Sequence, residues 1–204
     1  MWPERRASAS ASSATTTSGD TNRRHAPPPK QEPTKTNPPG RRFRDGEFDL
    51  YREVRNSFNA NDFARALTSL NTWAERFPHT DFEAERQFDY VQAFDGTGQP
   101  AKVLDTANTL LAQGLATALP DARQALTVLY LASLNLQKIL RPNRAQIATG
   151  QQAAHELLLR LPDFFVPDSR PASTTEAQWR KMRQDLESVA NSTLALAERH
   201  RAAR

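Results

Sequence analysis

Apolar residues recur at helical spacing through most of the chain beyond residue 46. In residues 61–80 they share one face of a helix: Phe63, Ala66, Leu67, Leu70, Trp73, Ala74 and Phe77. Asn61 and Asp62 carry oxygens that suit the capping of free amides at a helix start. Pro78 cannot continue a helix and disfavours helical geometry at the residue before it. The pattern predicts a helix between Asp62 and Pro78, with Trp73 in the protein interior.

The segment before this helix predicts a shorter helix and therefore a helical hairpin. Its apolar residues are spaced three or four positions apart: Phe48, Tyr51, Val54 and Phe58. Only Asn59 and Ala60 separate this run from the helix predicted after it. Because a short loop makes consecutive helices antiparallel neighbours, the two runs predict a first hairpin.

A second hairpin repeats the arrangement. Residues 96–98 (Gly-Thr-Gly) end its first helix, Pro100 suits the first position of the next helix, and Gly114 suits a helix C-cap. Alignment of Ala66 with Val103 gives an internal period of 37 residues, close to the roughly 34 of a common helical repeat. The first helix has one apolar face: Ala84, Phe88, Val91 and Phe94.

Two further helices are predicted to form a third hairpin. Residues 122–140 are apolar on most sides, which indicates a helix buried by neighbours on both flanks. Asn143 and Gln146 have capping-box spacing at the start of the next helix, and Pro162 is expected to close it. The buried face of that helix is expected to contain these residues: Ile147, Gly150, Ala154, Leu157, Leu158 and Leu161.

A last helix is predicted after an irregular connector over residues 163–172. Ser173 and Glu176 again have capping-box spacing. The helical domain is therefore expected to cover residues 47–200. One face of the last helix is apolar: Trp179, Met182, Leu186, Val189, Ala190, Thr193 and Ala197.

Residues 1–46 differ in composition. They are rich in Ser, Ala, Thr and Pro and contain seven of the 14 prolines. Such a segment cannot bury enough apolar surface to offset backbone ordering, which costs about 1–2 kcal/mol per residue. It predicts a disordered tail with a net charge of +5, whereas the rest of the chain carries −1. Without an apolar run long enough for an export signal or membrane span, the sequence as written predicts a soluble cytoplasmic protein, or a periplasmic one if the true start lies upstream and encodes an export signal.

Residues suited to catalysis or metal binding are sparse. The chain has no cysteine, which excludes disulfides, thiolate metal sites and cysteine nucleophiles. His155 and Glu156 begin like a zinc-binding HExxH motif, but Leu159 stands at the position of the second histidine. We therefore predict no catalytic, cofactor-binding or metal-ligating residue, no cofactor, and no enzymatic activity.

Five segments carry a family resemblance: GEFDLYREV, NDFARALTSLNTWAERFP, DYVQAFDGTGQPAKVLDTANTLLAQGL, LTVLYLASLNLQKI and TTEAQW. Through them, residues 46–197 resemble tetratricopeptide-repeat proteins of the acidobacterial type. The positions that match the general repeat are Ala66, Leu70, Trp73 and Pro78, and more weakly Tyr90, Gly98 and Val103.

The resemblance implies an all-α fold, a right-handed superhelical stack of antiparallel helix pairs. Such an α-solenoid would contain about seven helices here. It implies a non-catalytic scaffold or adaptor that holds a protein or peptide partner, or a second copy of itself, in a groove. The groove of such arrays comes from the first helix of each hairpin, where polar residues lie off the apolar stripes: Arg52, Arg55, Asn56, Glu85 and Gln92.

An alternative hypothesis assigns binding to the basic tail. Arg23, Arg24 and the RRFR cluster at residues 41–44 are suited to contact nucleic-acid phosphates or an anionic membrane surface. The helical domain would then only dimerise. This hypothesis expects binding to be lost when residues 1–46 are deleted and to weaken steeply with salt.

Overall fold

The computed structural model describes residues 41–202, and this part of the chain is all-helical, as predicted. Seven of its α-helices have 13 residues or more, and α5 is a single extra turn. A short 3-10 turn, Pro167–Ser169, precedes the last helix. The helices are α1 (Glu47–Asn59), α2 (Phe63–Arg76), α3 (Glu83–Gly96), α4 (Pro100–Gln113), α5 (Leu115–Ala118), α6 (Ala122–Leu136), α7 (Arg144–Phe164) and α8 (Glu176–Ala202).

Neighbouring helices in the sequence are also neighbours in space. The pairs α1–α2, α3–α4 and α6–α7 pack together, as the three predicted hairpins require. The helix α2 also packs on α3, while α4 contacts α6 and α7. The long helix α8 packs across both α6 and α7. No helix within residues 41–202 is long and apolar enough to cross a bilayer.

Two apolar clusters form the interior of the described chain. The C-terminal core, built by α3–α8, has these large members: Leu104, Leu110, Leu129, Leu136, Leu157, Leu161 and Trp179. The N-terminal core lies between α1, α2 and α3 and includes Trp73, which is fully buried as predicted. Its buried members are Leu50, Val54, Leu70, Trp73, Phe77, Phe82 and Ala93.

The predicted signals fix both ends of α2. Asp62 accepts a hydrogen bond from the amide of Arg65 at 3.0 Å and so caps the helix start. The helix ends at Arg76, and Phe77 has the non-helical φ of −132° expected of a residue before proline. Pro78 then leads the chain towards α3.

Cap signals also locate the starts of α4 and α7. Pro100 occupies the first turn of α4, and Gly114 ends that helix with a φ of +79°, which favours glycine. The predicted capping box at α7 is present, since Asn143 and Gln146 exchange two hydrogen bonds of 2.9 Å.

Pro162 does not close α7, contrary to the prediction. The helix continues to Phe164, and the amide of Phe165 still donates to the carbonyl oxygen of Leu161 at 2.9 Å. An interior proline costs about 3 kcal/mol because it removes one helical hydrogen bond and crowds the preceding turn. Aromatic packing offsets this cost, since the ring centroids of Phe164 and Phe165 lie 5.8 and 4.4 Å from that of Trp179.

The helix α6 is shorter than predicted. It ends at Leu136 rather than at residue 140. The next amides, of Lys138 and Ile139, donate to carbonyl oxygens three residues earlier, so the chain tightens out of the α-helical pattern. Leu140 is 91% exposed, so its apolar side chain contributes little to the buried helix face that the pattern suggested.

The helix α8 begins later than its predicted cap. Thr175 and Gln178 form the capping box, with amide hydrogen bonds of 2.9 and 3.2 Å. Ser173 is instead part of a turn in which the amide of Thr174 donates to the carbonyl oxygen of Pro171 at 2.9 Å. Both pairs have capping-box spacing, and the turn places the helix start at the second pair.

Most of the predicted disordered tail, residues 1–40, lies outside the described residues. Residues 41–46, assigned to the same tail, contact the helices. The ring of Phe43 lies 5.3 Å from that of Tyr51 on α1 and stacks at 3.8 Å on Phe82, at the start of α3. Gly46, with a φ of +76°, then turns the chain into α1.

Candidate functional site

The five predicted partner-binding residues lie on α1 and α3 but do not converge on one point. Arg52 and Asn56 are exposed and line an open groove of about 470 Å³ between α1 and the start of α2. Arg55 reaches the other way, towards α3. Glu85 and Gln92 are partly buried on α3, two turns apart. The five residues are therefore divided: Arg52 and Asn56 lie on the side of α1 next to α2, whereas Arg55 points towards α3, which carries Glu85 and Gln92.

The side of α1 that reaches α3 carries a stripe of half-buried residues, and α3 carries a second stripe in which one buried residue lies between two half-buried ones. The α1 stripe is Tyr51, Arg55 and Phe58, and the α3 stripe is Glu85, Asp89 and Gln92. In each stripe the residues are four and three positions apart, so they follow one side of a helix. Arg55 forms an ion pair with Asp89 across the two helices. Its guanidinium carbon also lies 5.6 and 5.0 Å from the ring centroids of Tyr51 and Phe58.

Asp89 is the buried member of the ion pair, with 1% of its surface exposed. Burial raises the pKa of its carboxyl from 3.8 to about 6, although the positive charge of Arg55 opposes the shift. The guanidinium of Arg55 contacts the carboxylate of Asp89 directly. Asp89 is thus a buried acid whose charged partner is Arg55 on α1.

Sequence reasoning did not select Asp89, although a signal was present. Asp89 stands four residues after Glu85 and three before Gln92, on the same helix face as these two predicted residues. It lies next to Phe88, a member of the apolar face predicted for this helix. Its pairing with Arg55 depends on how α1 and α3 approach each other, which periodicity does not specify.

A second buried charge, Arg86, connects α2 to α3. Its guanidinium donates to the carbonyl oxygen of Phe77 at 2.7 Å and pairs with Glu83. The same group lies 5.7 Å from the ring centroid of Trp73. Carbonyl groups at a helix C-terminus lack partners within the helix, so Arg86 satisfies the end of α2 from the neighbouring hairpin. This interaction restricts how the two hairpins can shift.

A third buried charge, Glu47, connects α1 to the end of α2. It accepts hydrogen bonds from the indole N–H of Trp73 at 2.8 Å, from the amide of Arg44 at 2.9 Å and from the hydroxyl of Thr80. A buried carboxylate requires such donors because its desolvation is costly. Glu47 and Arg86 therefore act together to position α1, α2 and α3.

The two ends of α3 have different polar contacts. At the N-terminal end of α3, both carboxylate oxygens of Glu85 are taken by Arg41, at 2.5 and 2.6 Å. Towards its C-terminal end, Asp95 accepts hydrogen bonds from Asn135 at 2.9 Å and from Lys138 at 2.7 Å, and so connects α3 to α6. Gln92 lies between them and is half-buried.

Groups suited to chemistry do not gather in the described part of the chain. Across residues 41–202, no cluster of three or more His, Asp or Glu residues is arranged to hold a metal ion. His155 is exposed, and Glu156 accepts a hydrogen bond from Gln152 at 3.1 Å and pairs with Arg160 at 3.5 Å. The arrangement on α1 and α3 combines half-buried aromatic rings, an ion pair and the amide of Gln92.

Comparison of the chain with protein-family models, with curated proteins and with solved structures gives no match. The resemblance to tetratricopeptide-repeat proteins is therefore carried by the quoted residues and segments alone, and it stays a prediction.

Proposed function

We propose that this chain is a non-catalytic scaffold of the tetratricopeptide-repeat type, whose helix pairs stack as a right-handed α-solenoid. It would bind a peptide segment of a partner protein along α1 and α3. The observation that carries the proposal is the ion pair of Arg55 and Asp89, which joins the stripe on α1 to the stripe on α3. The α1 stripe contains two partly exposed aromatic residues and an arginine, residue types that are enriched in protein interfaces.

The buried charges support the proposal because a recognition surface must be held in place. Glu47 ties α1 to Trp73 on α2, and Arg86 ties the end of α2 to α3. A preorganised surface loses less conformational entropy on binding, which leaves more of the contact energy for affinity.

Site-specific photocrosslinking tests the proposal. A benzophenone amino acid would replace Phe58 or Gln92 in the stripes, and Asp105 or Gln113 on the exposed side of α4 as matched controls. In extract of the native host, we expect the first two positions to crosslink to one protein that the controls do not capture. Equal capture at all four positions, or none at any, would overturn the proposal.

The tail hypothesis concerns mainly residues 1–40, which lie outside the described part of the chain. Among its described residues, Arg41 pairs with Glu85, whereas Arg42 and Arg44 are exposed. It stays a prediction, and deletion of residues 1–46 remains the experiment that separates it from binding at α1 and α3.

A further inference from the structure

The start of α3 carries a small acidic and aromatic surface formed by Asp81, Phe82 and Glu85, and residues 41–43 lie on it. The guanidinium of Arg41 makes two charged hydrogen bonds to the Glu85 carboxylate, at 2.5 and 2.6 Å, and a further one to the carbonyl oxygen of Asp81. A fork of two N–H groups on one carboxylate is the arrangement by which arginine is recognised most specifically.

Phe82 binds both anchoring side chains of this segment. The guanidinium carbon of Arg41 lies 4.4 Å from its ring centroid, and the ring of Phe43 stacks on it at 3.8 Å with an interplanar angle of 5°. Cation–π contact and ring stacking thus meet on one aromatic side chain.

Residues 41–43 contact this surface as a bound peptide does. The segment has no helical structure, its first and third side chains face α3, and the side chain of Arg42 between them is exposed. The amide of Arg42 donates to the Asp81 carboxylate at 3.1 Å. Alternate anchoring side chains with a main-chain hydrogen bond between them are typical of recognition of an extended peptide.

We infer that Asp81, Phe82 and Glu85 form a recognition site for an extended peptide with arginine two residues before phenylalanine, and that Arg41–Phe43 of this chain occupies the site as its own ligand. The inference rests on the proposed function, because it names the chemistry of a partner bound at the end of the same two helices. A partner segment must compete with residues 41–43, which are held close by a turn of three residues at Arg44, Asp45 and Gly46. A tethered ligand has an effective concentration of about 1 mM.

Fluorescence anisotropy of a labelled peptide tests this site in the full chain. The peptide is PPGRRFRD, the sequence of residues 38–45. The double substitution Arg41→Ala and Phe43→Ala empties the site, and we expect this variant to bind the peptide at least about 10-fold more tightly than the unmodified chain, which follows from loss of the tethered competitor. Arg42→Ala is the matched control, because it also removes one positive charge but leaves the anchors in place, and it should bind as the unmodified chain does.

Changes in the peptide test which of its side chains the site recognises, and they leave the protein unaltered. Replacement of its first arginine by citrulline, or of its phenylalanine by alanine, should abolish binding to the emptied variant. Glu85→Gln added to that variant should weaken binding about 10-fold, while circular dichroism confirms that the variant remains helical. Equal binding of the peptide to the emptied variant and the Arg42→Ala control would overturn occupancy by residues 41–43.

The two proposals fail separately. If the peptide does not bind the emptied variant but crosslinks from Gln92 persist, the arginine-phenylalanine site is wrong and peptide binding along the stripes stands. If the peptide binds as expected but no host protein crosslinks, the recognition site stands and the scaffold proposal is wrong.

Discussion

The N-terminal and C-terminal cores differ in the polar groups that they bury. Among the described residues, the buried charged side chains all lie at the N-terminal core: Glu47, Arg86 and Asp89, each 3% exposed or less. The C-terminal core buries only uncharged polar side chains: Ser133, Asn135, Thr149 and Thr193. Apolar burial has no preferred direction, whereas a buried charge is stable only with partners in the right geometry.

The contrast between the two cores shows which helices have the most restricted relative positions. Packing of leucines in the C-terminal core favours compactness, and several arrangements of similar volume would satisfy it. The contacts of Glu47 and Arg86 are satisfied only when α1, α2 and α3 keep one relative placement. The helices with the most restricted placement are thus the ones that carry the candidate binding surface.

Trp73→Ala should have the largest effect on stability. We expect a loss of about 3–5 kcal/mol in the free energy of unfolding, because the substitution opens a cavity in the N-terminal core. It also removes the indole donor at 2.8 Å from the Glu47 carboxylate. Urea unfolding followed by circular dichroism measures this loss. A near-neutral result would show that Trp73 does not hold the hairpins together.

A pair of conservative variants separates the polar part of this effect from the apolar part. Trp73→Phe and Trp179→Phe both keep an aromatic ring in a core, but the indole N–H of Trp179 has no hydrogen-bond partner among the described residues. Only the first variant leaves a buried carboxylate with one donor fewer, so it should be the more destabilising by about 1–3 kcal/mol. Equal losses would contradict the contrast between the two cores.

Titration of Asp89 should change stability between pH 4 and pH 7. The folded-state pKa of about 6 exceeds the ordinary value of 3.8, so the folded protein holds this proton more tightly than the unfolded chain. The resulting stabilisation is fully present below about pH 4 and is lost as the pH rises through 6, a change of about 3 kcal/mol.

Asp89→Asn isolates this contribution, because the other titrating groups remain the same in both proteins. Urea unfolding at several pH values should show that the difference in stability between the variant and the unmodified chain shifts by about 3 kcal/mol towards the variant from pH 3 to pH 7. Stability curves that run parallel across this range would show that Asp89 does not titrate as inferred.

Arg86→Met should cost about 1–3 kcal/mol, because it leaves the carbonyl oxygen of Phe77 without its donor at 2.7 Å. Arg183→Met on α8 is the matched control, since Arg183 pairs with Glu187 at 2.8 Å but is 43% exposed. We expect the control to lose less than about 1 kcal/mol. Thermal unfolding of both variants checks the difference, and a larger loss for Arg183→Met would contradict it.

The helices were predictable because their signals are local. Asp62 and Pro78 bound α2, and the Asn143 capping box starts α7, through contacts within a few residues. The prediction that Pro162 ends α7 was wrong because it considered only the proline and its neighbours in sequence. The packing of Phe164 and Phe165 on Trp179, which offsets the cost of the proline, involves a separate helix. Local rules failed where tertiary contacts outweighed them.

The candidate site was predictable only in part for the same reason. The family resemblance led to the choice of α1 and α3, and position off the apolar faces led to Arg55, Glu85 and Gln92; their role in binding stays a prediction. The partners of Arg55 and Glu85, namely Asp89 and Arg41, lie 34 and 44 residues away. Sequence spacing within a helix cannot identify partners at such separations, and the basic composition of residues 41–44 suggested a solvated tail instead.

The smallest predicted changes in stability concern exposed ion pairs. They test whether the N-terminal core differs from the C-terminal core because its charges are buried or because its stability depends on charge in general. Lys181 pairs with Asp185 on α8 at 2.9 Å, and Arg65 pairs with Glu53 beside the N-terminal core at 3.4 Å. All four side chains are at least 43% exposed. Exposed pairs contribute about 0.2–1 kcal/mol because water screens them, so Lys181→Gln and Arg65→Gln should each change stability by less than about 1 kcal/mol in urea unfolding. Equal, small effects would assign the contrast to burial, whereas a markedly larger loss for Arg65→Gln would mean that the N-terminal region depends on its surface charges as well.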